Sequence, residues 1–559
     1  IVSQNSADID LKLDLSKYPE DFNFWSNYPN PEVAYVIAKR MTNEELLAQI
    51  FMFGWAGAEP SDLLNRWVKD RGLGSVKVFG WNTDNTTLVA KSISSLQKKA
   101  QSRPFKIPLF VATDQEGGWI RHVKGNTSIT PGNLSIGASG SPVDCWYSSY
   151  YISREIAVLG INLNFAPTVD LYTDQKSTII GTRSFGENPS NAGLLGVSFA
   201  AGSMAAGIIP TAKHFPGHGD TENDSHVFLP SIPCNLETLH NRELIPFKYL
   251  IEAHVPAIMS GHLSFPKIRE NGEPASLSEY FLTELLRKEL GYKGLIITDD
   301  MMMNGDTLYA GSLSNAFRMA IEAGNDIIIS STTAQLNEAL WTSNIQRMKT
   351  SPEFRSKVEK AARRVIEIKL NYFKNTKAAP LYPDISKIDQ SIPDKEGTSF
   401  FVEQACRSIT VYKKGELPYI PSNDKKVLLI GSEPAFFSEM KKYYNNNDSI
   451  KLNYNLGPNE TQAAINQLSY KAENVDTIFV CVWDNNSFKI AESLKRYQSK
   501  GKKIVIFSIM SPVISFNLTW PDTVLFGYSY SPYSFMGLAA VASGKINPTG
   551  VLPISVPQK

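Results

Sequence analysis

The sequence predicts an α/β protein of two domains: a (β/α)8 TIM barrel over residues 1–373 and, beyond a linker at 374–395, a second α/β domain over 396–559. Three observations predict this. The chain has 559 residues, too many for one ordinary core at about 100–200 residues per domain, even with the allowance that barrels need. Eight short apolar runs, separated by helix-like segments, fill the first two thirds. A polar, proline-bearing break then precedes a second series of such runs.

The eight runs are QIFMFG, GSVKVF, PLFVAT, INLNFAP, IIPTAK, PAIMSG, GLIITD and DIIIS. Most are nearly continuous in apolar character, as strands buried on both faces of a parallel sheet must be. Eight is the count of a (β/α)8 barrel. Between them MTNEELLAQ, SEYFLTELLRKELG and SNAFRMAIEAG carry apolar residues at helical spacing with capping residues, and the last two end in glycine. The break is KNTKAAPLYPDISKIDQSIPDK, Lys374 to Lys395, with three prolines among polar residues. After it SITVYK, KVLLIG, TIFVCVW, KIVIFSI and TVLFGY alternate with helical stretches, the pattern of an open α/β sheet. GSEPAF follows a strand there but lacks the GxGxxG spacing of a dinucleotide site.

Composition narrows the partners. The chain is 42% hydrophobic and 20% charged, with 56 basic against 55 acidic residues and a net charge of +1. Such a balance gives no electrostatic footprint for nucleic acid or an anionic membrane. No apolar run reaches the roughly 18–20 residues that span a bilayer. The opening IVSQNSADID has no initiator methionine and is polar after Val2, which suits removal of a leader. An extracytoplasmic protein (secreted, periplasmic or lipid-anchored) is the expectation, with the cytoplasm as the alternative. Cys145, Cys234, Cys406 and Cys481 lie far apart without CxxC spacing, so neither a zinc ribbon nor a redox motif is expected, and Cys481 reads as a buried thiol.

In barrel enzymes the reacting groups follow the strands, and ionisable residues collect there: Asp114, Asp170, Lys213 with His214, His262, and Asp299 with Asp300. Only seven histidines occur in the chain, yet three fall within KHFPGHGDTENDSH, Lys213 to His226. His214, His218, Asp220, Asp224 and His226 are competent metal ligands, but Pro216 and Gly217 separate the first two histidines, so they do not share a helix face as HExxH ligands do. No metal and no cofactor are expected. In DSH the i and i+2 side chains of an extended segment point the same way, so Asp224 can hold one tautomer of His226 and raise its basicity, an acid/base pair. Asp299, ending an apolar strand, is the candidate nucleophile, with Asp300 as its companion or the cap of the next helix. Asp114, in DQEGG, has paired glycines that allow close backbone approach to a ligand. Arg183, in RSFGENP, and Lys213 are further candidates for gripping a polar substrate.

These residues resemble family 3 glycoside hydrolases, specifically the bacterial β-N-acetylglucosaminidase (β-N-acetylhexosaminidase) branch. The likeness rests on DQEGG, NFAPTVD, RSFGENP, KHFPGHG followed by DSH, and GLIITDDM, in that order through most of residues 40–330, and on the late GKINPTGVLPISV. It implies a (β/α)8 barrel followed by an α/β sandwich. It also implies Asp299 as nucleophile, Asp224 and His226 as the acid/base pair, and Asp114, Arg183, Lys213 and His214 as sugar-gripping residues, with His218 shaping the loop. One position departs: many relatives have arginine directly after the paired glycines, where this chain has Trp119, with Arg121 two places later. The subsite near that loop is expected to differ.

The implied reaction is retaining hydrolysis of terminal β-linked N-acetylglucosamine by double displacement, on glycans such as peptidoglycan fragments or chito-oligosaccharides. A histidine acid is neutral once deprotonated and so tolerates an anionic nucleophile, which makes phosphorolysis an alternative; β-glucosidase activity is another. From other classes, the rivals are a non-catalytic carbohydrate-binding protein and a metal-dependent hydrolase. The second domain is expected to be structural or peripheral.

Overall fold

The computed structural model describes residues 11–221 and 229–557. The first domain is a closed, all-parallel barrel. Its strands are β1 (Phe51–Phe53), β2 (Ser75–Lys77), β3 (Phe110–Thr113), β6 (Leu163–Asn164), β7 (Ile209–Phe215), β8 (Ala257–Ser260), β9 (Leu295–Asp300) and β10 (Ile327–Ser330). A small antiparallel hairpin, β4 (Gln115–Gly117) with β5 (Ile120–Arg121), interrupts the series after β3. The barrel order β1-β10-β9-β8-β7-β6-β3-β2 closes the sheet. Each barrel strand lies on one of the eight apolar runs, with β7 and β9 continuing past the ends of theirs to Phe215 and Asp300. All are fully buried except the end of β9, where Asp299 and Asp300 emerge, because a parallel sheet covered by helices offers polar residues an outlet only at its ends.

The helices form where the sequence supplies their ends. Thr42 and Glu45 close a reciprocal capping box at the start of Asn43–Gln49. Leu313–Ala323 stops at Gly324, whose φ of +111° is open to glycine at little cost. The long helix Pro352–Phe373 completes the barrel, and residues 374–394 cross to the second domain with only short helical turns.

The second domain is built on a six-stranded mixed sheet: β11 (Thr410–Lys414), β12 (Val427–Gly431), β13 (Asn447–Lys451), β14 (Thr477–Val482), β15 (Lys503–Ser508) and β16 (Thr523–Phe526), in the order β11-β16-β15-β14-β12-β13. Five follow the apolar runs. The sixth, β13, has the sequence NDSIK and only Ile450 buried; it is an edge strand, and a polar edge escapes an apolar-run search while protecting the sheet from further pairing. Cys145, Cys234 and Cys481 are buried free thiols.

The two domains are joined by polar contacts and by packing. At the end of the crossing segment Glu155, 2% exposed, ties the barrel to the linker, accepting from the backbone N–H of Ser128 (2.8 Å), the Ser128 hydroxyl (2.6 Å) and the backbone N–H of Asp394 (2.9 Å). Arg407 makes a two-pronged bond to Asp144, and Tyr172 Oη lies 2.7 Å from Ser511 Oγ. The GKINPTGVLPISV tail folds back onto the barrel, where Val551 N–H donates to the Ala138 carbonyl and Glu187 N–H to that of Pro553. Glu155→Ala would strand three buried donors, at roughly 1–3 kcal/mol each before relaxation. Denaturant unfolding is expected to show a loss of about 3 kcal/mol; a change below about 0.5 kcal/mol would contradict this account of the junction.

Candidate active site

The chemistry collects at the carboxyl ends of β2, β3, β6, β7, β8 and β9. Lys213, at 2% exposure, lies in β7 with its Nζ 2.7 Å from Asp114 Oδ1 and 2.7 Å from Glu116 Oε1. Lys77, from the end of β2, takes the other Asp114 oxygen at 2.8 Å. Arg183 grips Glu116 through both prongs, Nε to Oε2 at 3.0 Å and Nη2 to Oε1 at 2.8 Å. Burial opposes the charge on Glu116, but Arg183 and Lys213 outweigh it and hold its carboxyl at about 2; by the same balance Lys213 and Lys77 hold Asp114 well below its ordinary range. The result is a packed lattice of alternating charges in which each member is bonded, the condition under which buried ions are tolerated.

A second group lies alongside. Asp170 accepts His214 Nδ1 at 2.6 Å and the backbone N–H groups of His214 (3.2 Å) and His218 (2.8 Å). One buried carboxylate thereby fixes both the ring and the backbone of the KHFPGHG stretch. His214 Nε2 is 3.8 Å from Asp299 Oδ2. The His218 ring is edge-on to His214 at 5.7 Å, and burial, reinforced by His214, pushes it down to about 4, keeping it neutral. Asp220 turns away to pair with Arg242.

Behind Asp299, His262 Nδ1 lies 2.7 Å from Asp306 Oδ2 and its Nε2 3.0 Å from the Asp300 carbonyl. Burial would discharge this ring, but Asp306 overrides it and raises it to about 9. It is an imidazolium at neutral pH. Asp299 is therefore faced by the cations of His262 and Lys77: burial alone would raise its pKa, and His214, His262, Lys77 and the Asp300 N–H bring it far below the ordinary range. Its side chain is 19% exposed, against 11% for Asp114, 1% for Glu116 and 0% for Asp170. Among these carboxylates Asp299 is ionised, accessible and least committed to a partner.

The structure brings together Asp114, Arg183, Lys213, His214 and Asp299 as one cluster. Asp224 and His226 lie outside the described residues. Asp300 is neither companion nor cap: its Oδ1 accepts from Met302 N–H and Ser331 N–H, closing the turn after β9 and tying it to β10. The paired glycines of DQEGG have a structural role in the hairpin. Gly117 and Gly118 have φ of +95° and +61°, and a Cβ on Gly118 would stand 3.3 Å from the Gly132 Cα; they make the β4–β5 turn and its packing. Arg121 bonds Thr127 in the loop that follows the hairpin. Lys77, Glu116 and the His262–Asp306 pair were not singled out from sequence as site groups, although His262 stood among the strand-end residues.

The Glu116 pKa carries a pH consequence. Because it is lower folded (about 2) than its ordinary 4.5, Glu116 contributes stability that is complete above pH 4.5 and is lost as the pH falls towards 2, roughly 3 kcal/mol in all. Unfolding free energies measured from pH 6 to 2 should fall less steeply across that window in Glu116→Gln than in the wild type. Parallel curves would contradict the lattice.

Comparison with known proteins accords with this geometry. Beta-hexosaminidase A of Pseudoalteromonas piscicida is 38% identical over 263 residues, 44% of this chain and 43% of that protein, so the chain spans less than half the length of this relative. Beta-hexosaminidase of Pseudomonas aeruginosa is 30% identical over 303 residues, 54% of this chain and 86% of that protein. Among solved structures, a glycoside hydrolase family 3 beta-N-acetylglucosaminidase from Paenibacillus sp. str. FPU-7 superposes with a TM-score of 0.83 at 26% identity, covering 92% of this chain and 99% of that one. The family model of the glycosyl hydrolase family 3 N terminal domain matches residues 42–368, more than half of the sequence and the whole run of site residues from Lys77 to Asp306: the chain belongs to glycosyl hydrolase family 3.

Proposed function

We propose that the protein hydrolyses terminal β-linked N-acetylglucosamine from glycans with retention of configuration, with Asp299 as nucleophile and Asp224 and His226 as the acid/base pair. The observation that carries the reading is the state of Asp299: an accessible carboxylate kept ionised by His214, His262 and Lys77, with Oδ1 held by the Asp300 N–H at 2.8 Å and Oδ2 turned to His214. The names of the relatives above, matched across the barrel, support the N-acetylglucosamine specificity.

In the first step Asp299 Oδ2 bonds to the anomeric carbon as the bond to the leaving oxygen breaks, and that oxygen takes the proton of His226. In the second, water attacks the same carbon, gives a proton back to His226 and releases the Asp299 carboxylate. The Asp114, Lys213, Glu116 and Arg183 lattice supplies fixed charges to grip hydroxyl groups, at no reorganisation cost during the reaction.

His214 is itself half of an Asp–His pair, with Asp170, and so competes for the proton-donor role. Its position argues against that. The groups flanking a bond cleaved with retention stand about 5–5.5 Å apart to leave room for the sugar, whereas His214 Nε2 is only 3.8 Å from Asp299. It sits beside the nucleophile, where it orients the carboxylate and touches the sugar.

Asp299→Asn is expected to lower kcat/KM on aryl β-N-acetylglucosaminides by about a thousandfold or more in a protein that still folds, as circular dichroism would show; retention of near-normal turnover would remove Asp299 from the role. The second expectation separates proton donation from gripping. His226→Ala should lose far more activity on alkyl or sugar leaving groups than on activated phenolates that depart unaided, whereas His214→Ala should lose a similar factor on both. The reverse pattern would assign the acid to His214. Assays with and without phosphate, with the product identified by mass, distinguish hydrolysis from phosphorolysis.

A further inference from the structure

Next to the charge lattice a cleft of about 830 Å³ opens between the two domains, within the roughly 300–1,000 Å³ of small-molecule sites. Its barrel wall includes Trp119 and Thr182, and its other wall, from the second domain, includes Tyr454, Trp483 and Tyr530. The cleft is continuous in sequence with the site. Trp119 sits in the turn of the β4–β5 hairpin whose first strand carries Glu116, and Thr182 precedes Arg183, which holds Glu116. The loops that build the lattice thus also form the cleft wall.

The second-domain wall is an ordered aromatic surface. Tyr454 and Trp483 are stacked, with centroids 5.8 Å apart and planes 11° from parallel, and Tyr530 meets Tyr454 edge-on at 5.7 Å. Trp483 is locked from behind: its indole N–H donates to the Tyr454 carbonyl at 2.9 Å and its backbone N–H to Ser487 Oγ at 2.9 Å. Tyr454 and Trp119 are each 38% exposed. Rigid aromatic rings, half-exposed in a concavity, offer apolar area at little entropic cost and edges that accept polar neighbours, the requirement for binding the CH faces of a pyranose. Among the lining residues the charged ones are Lys176 and Asp484, one of each sign, and the Asp484 carboxylate already caps the next helix at Ser487 N–H. The cleft carries no net charge to recruit an anion.

We infer that this cleft binds the leaving-group side of the substrate, and that its occupant is a neutral oligosaccharide of β-linked N-acetylhexosamine units, stacked on Trp119 and Tyr454. The second domain is then part of substrate selection. The inference rests on the N-acetylglucosaminidase reading above and deepens it: glycans whose second sugar bears a carboxylate are the disfavoured class.

The test uses the full chain and four substrates. N-acetylglucosaminyl β-fluoride leaves the cleft empty, a chitin-type trisaccharide fills it, and two disaccharides, N-acetylglucosamine linked either to N-acetylglucosamine or to N-acetylmuramic acid, differ there in charge. Trp119→Ala and Tyr454→Ala should each lower the ratio of kcat/KM for the trisaccharide to that for the fluoride by about five- to tenfold, and the wild type should favour the neutral disaccharide over the acidic one. An unchanged ratio in both variants, or faster cleavage of the acidic disaccharide, would overturn the inference while leaving the fluoride activity, and so the proposed function, intact. If the wild type turns over none of the four, the proposed function fails, and calorimetric titration of the trisaccharide decides the inference alone: binding to the wild type that is weakened in Trp119→Ala and Tyr454→Ala upholds it, and absence of binding refutes it.

Discussion

Lys213 Nζ, 2.7 Å from Asp114 and 2.7 Å from Glu116, is the contact on which the mouth of the barrel depends. Two carboxylates two residues apart at one strand end could not be buried together without it, because like charges in a poorly solvated space raise one another's pKa until one is neutral. With the ammonium between them both stay charged, Lys77 and Arg183 complete the outer ring, and the hairpin that carries Glu116 is drawn against β7. Asp170 does comparable work next door on backbone N–H groups and the His214 ring. The exposed product of this arrangement is a single carboxylate, Asp299, facing cations it does not directly bond.

Much of this was legible in the sequence because barrel architecture converts a linear pattern into a spatial one. Continuous apolar runs located all eight strands, and reading the residues that close or follow each run found Asp114, Asp170, His214, His262 and Asp299. What was missed has physical reasons. Lys77 sits inside an apolar run, and a lysine there reads as a strand residue until a buried acid is known to face it. Glu116 and Asp114 are two apart and only the fold shows that both point at one lysine. The turn at the DQEGG glycines and the approach of Gly132 to Gly118 could not be read from the sequence, because Gly132 is remote in the chain. Edge strand β13 lacks the pattern because it lacks the burial.

The second domain is more closely engaged than its sequence suggests. Its last residues lie on the RSFGENP loop: Ser555 bonds Glu187 through its backbone N–H at 2.9 Å, and Gln175 reaches the Ser555 carbonyl at 2.6 Å. That loop begins at Arg183, so the tail braces the residue that holds Glu116. Its aromatic wall faces Trp119 across the cleft. Both features couple the placement of the second domain to the shape of the site, although the lattice itself is drawn from the barrel.

The central claim is that Asp299 forms the bond to the sugar. It is tested most directly by trapping that bond: incubation with a 5-fluoro-N-acetylglucosaminyl fluoride, whose ring fluorine slows breakdown of the ester, followed by proteolysis and peptide mass spectrometry. The account predicts one sugar per chain, on the peptide containing Asp299 and on that side chain. Label on Asp114, Asp170 or Asp300, or steady turnover of the reagent with no labelled peptide, would contradict it.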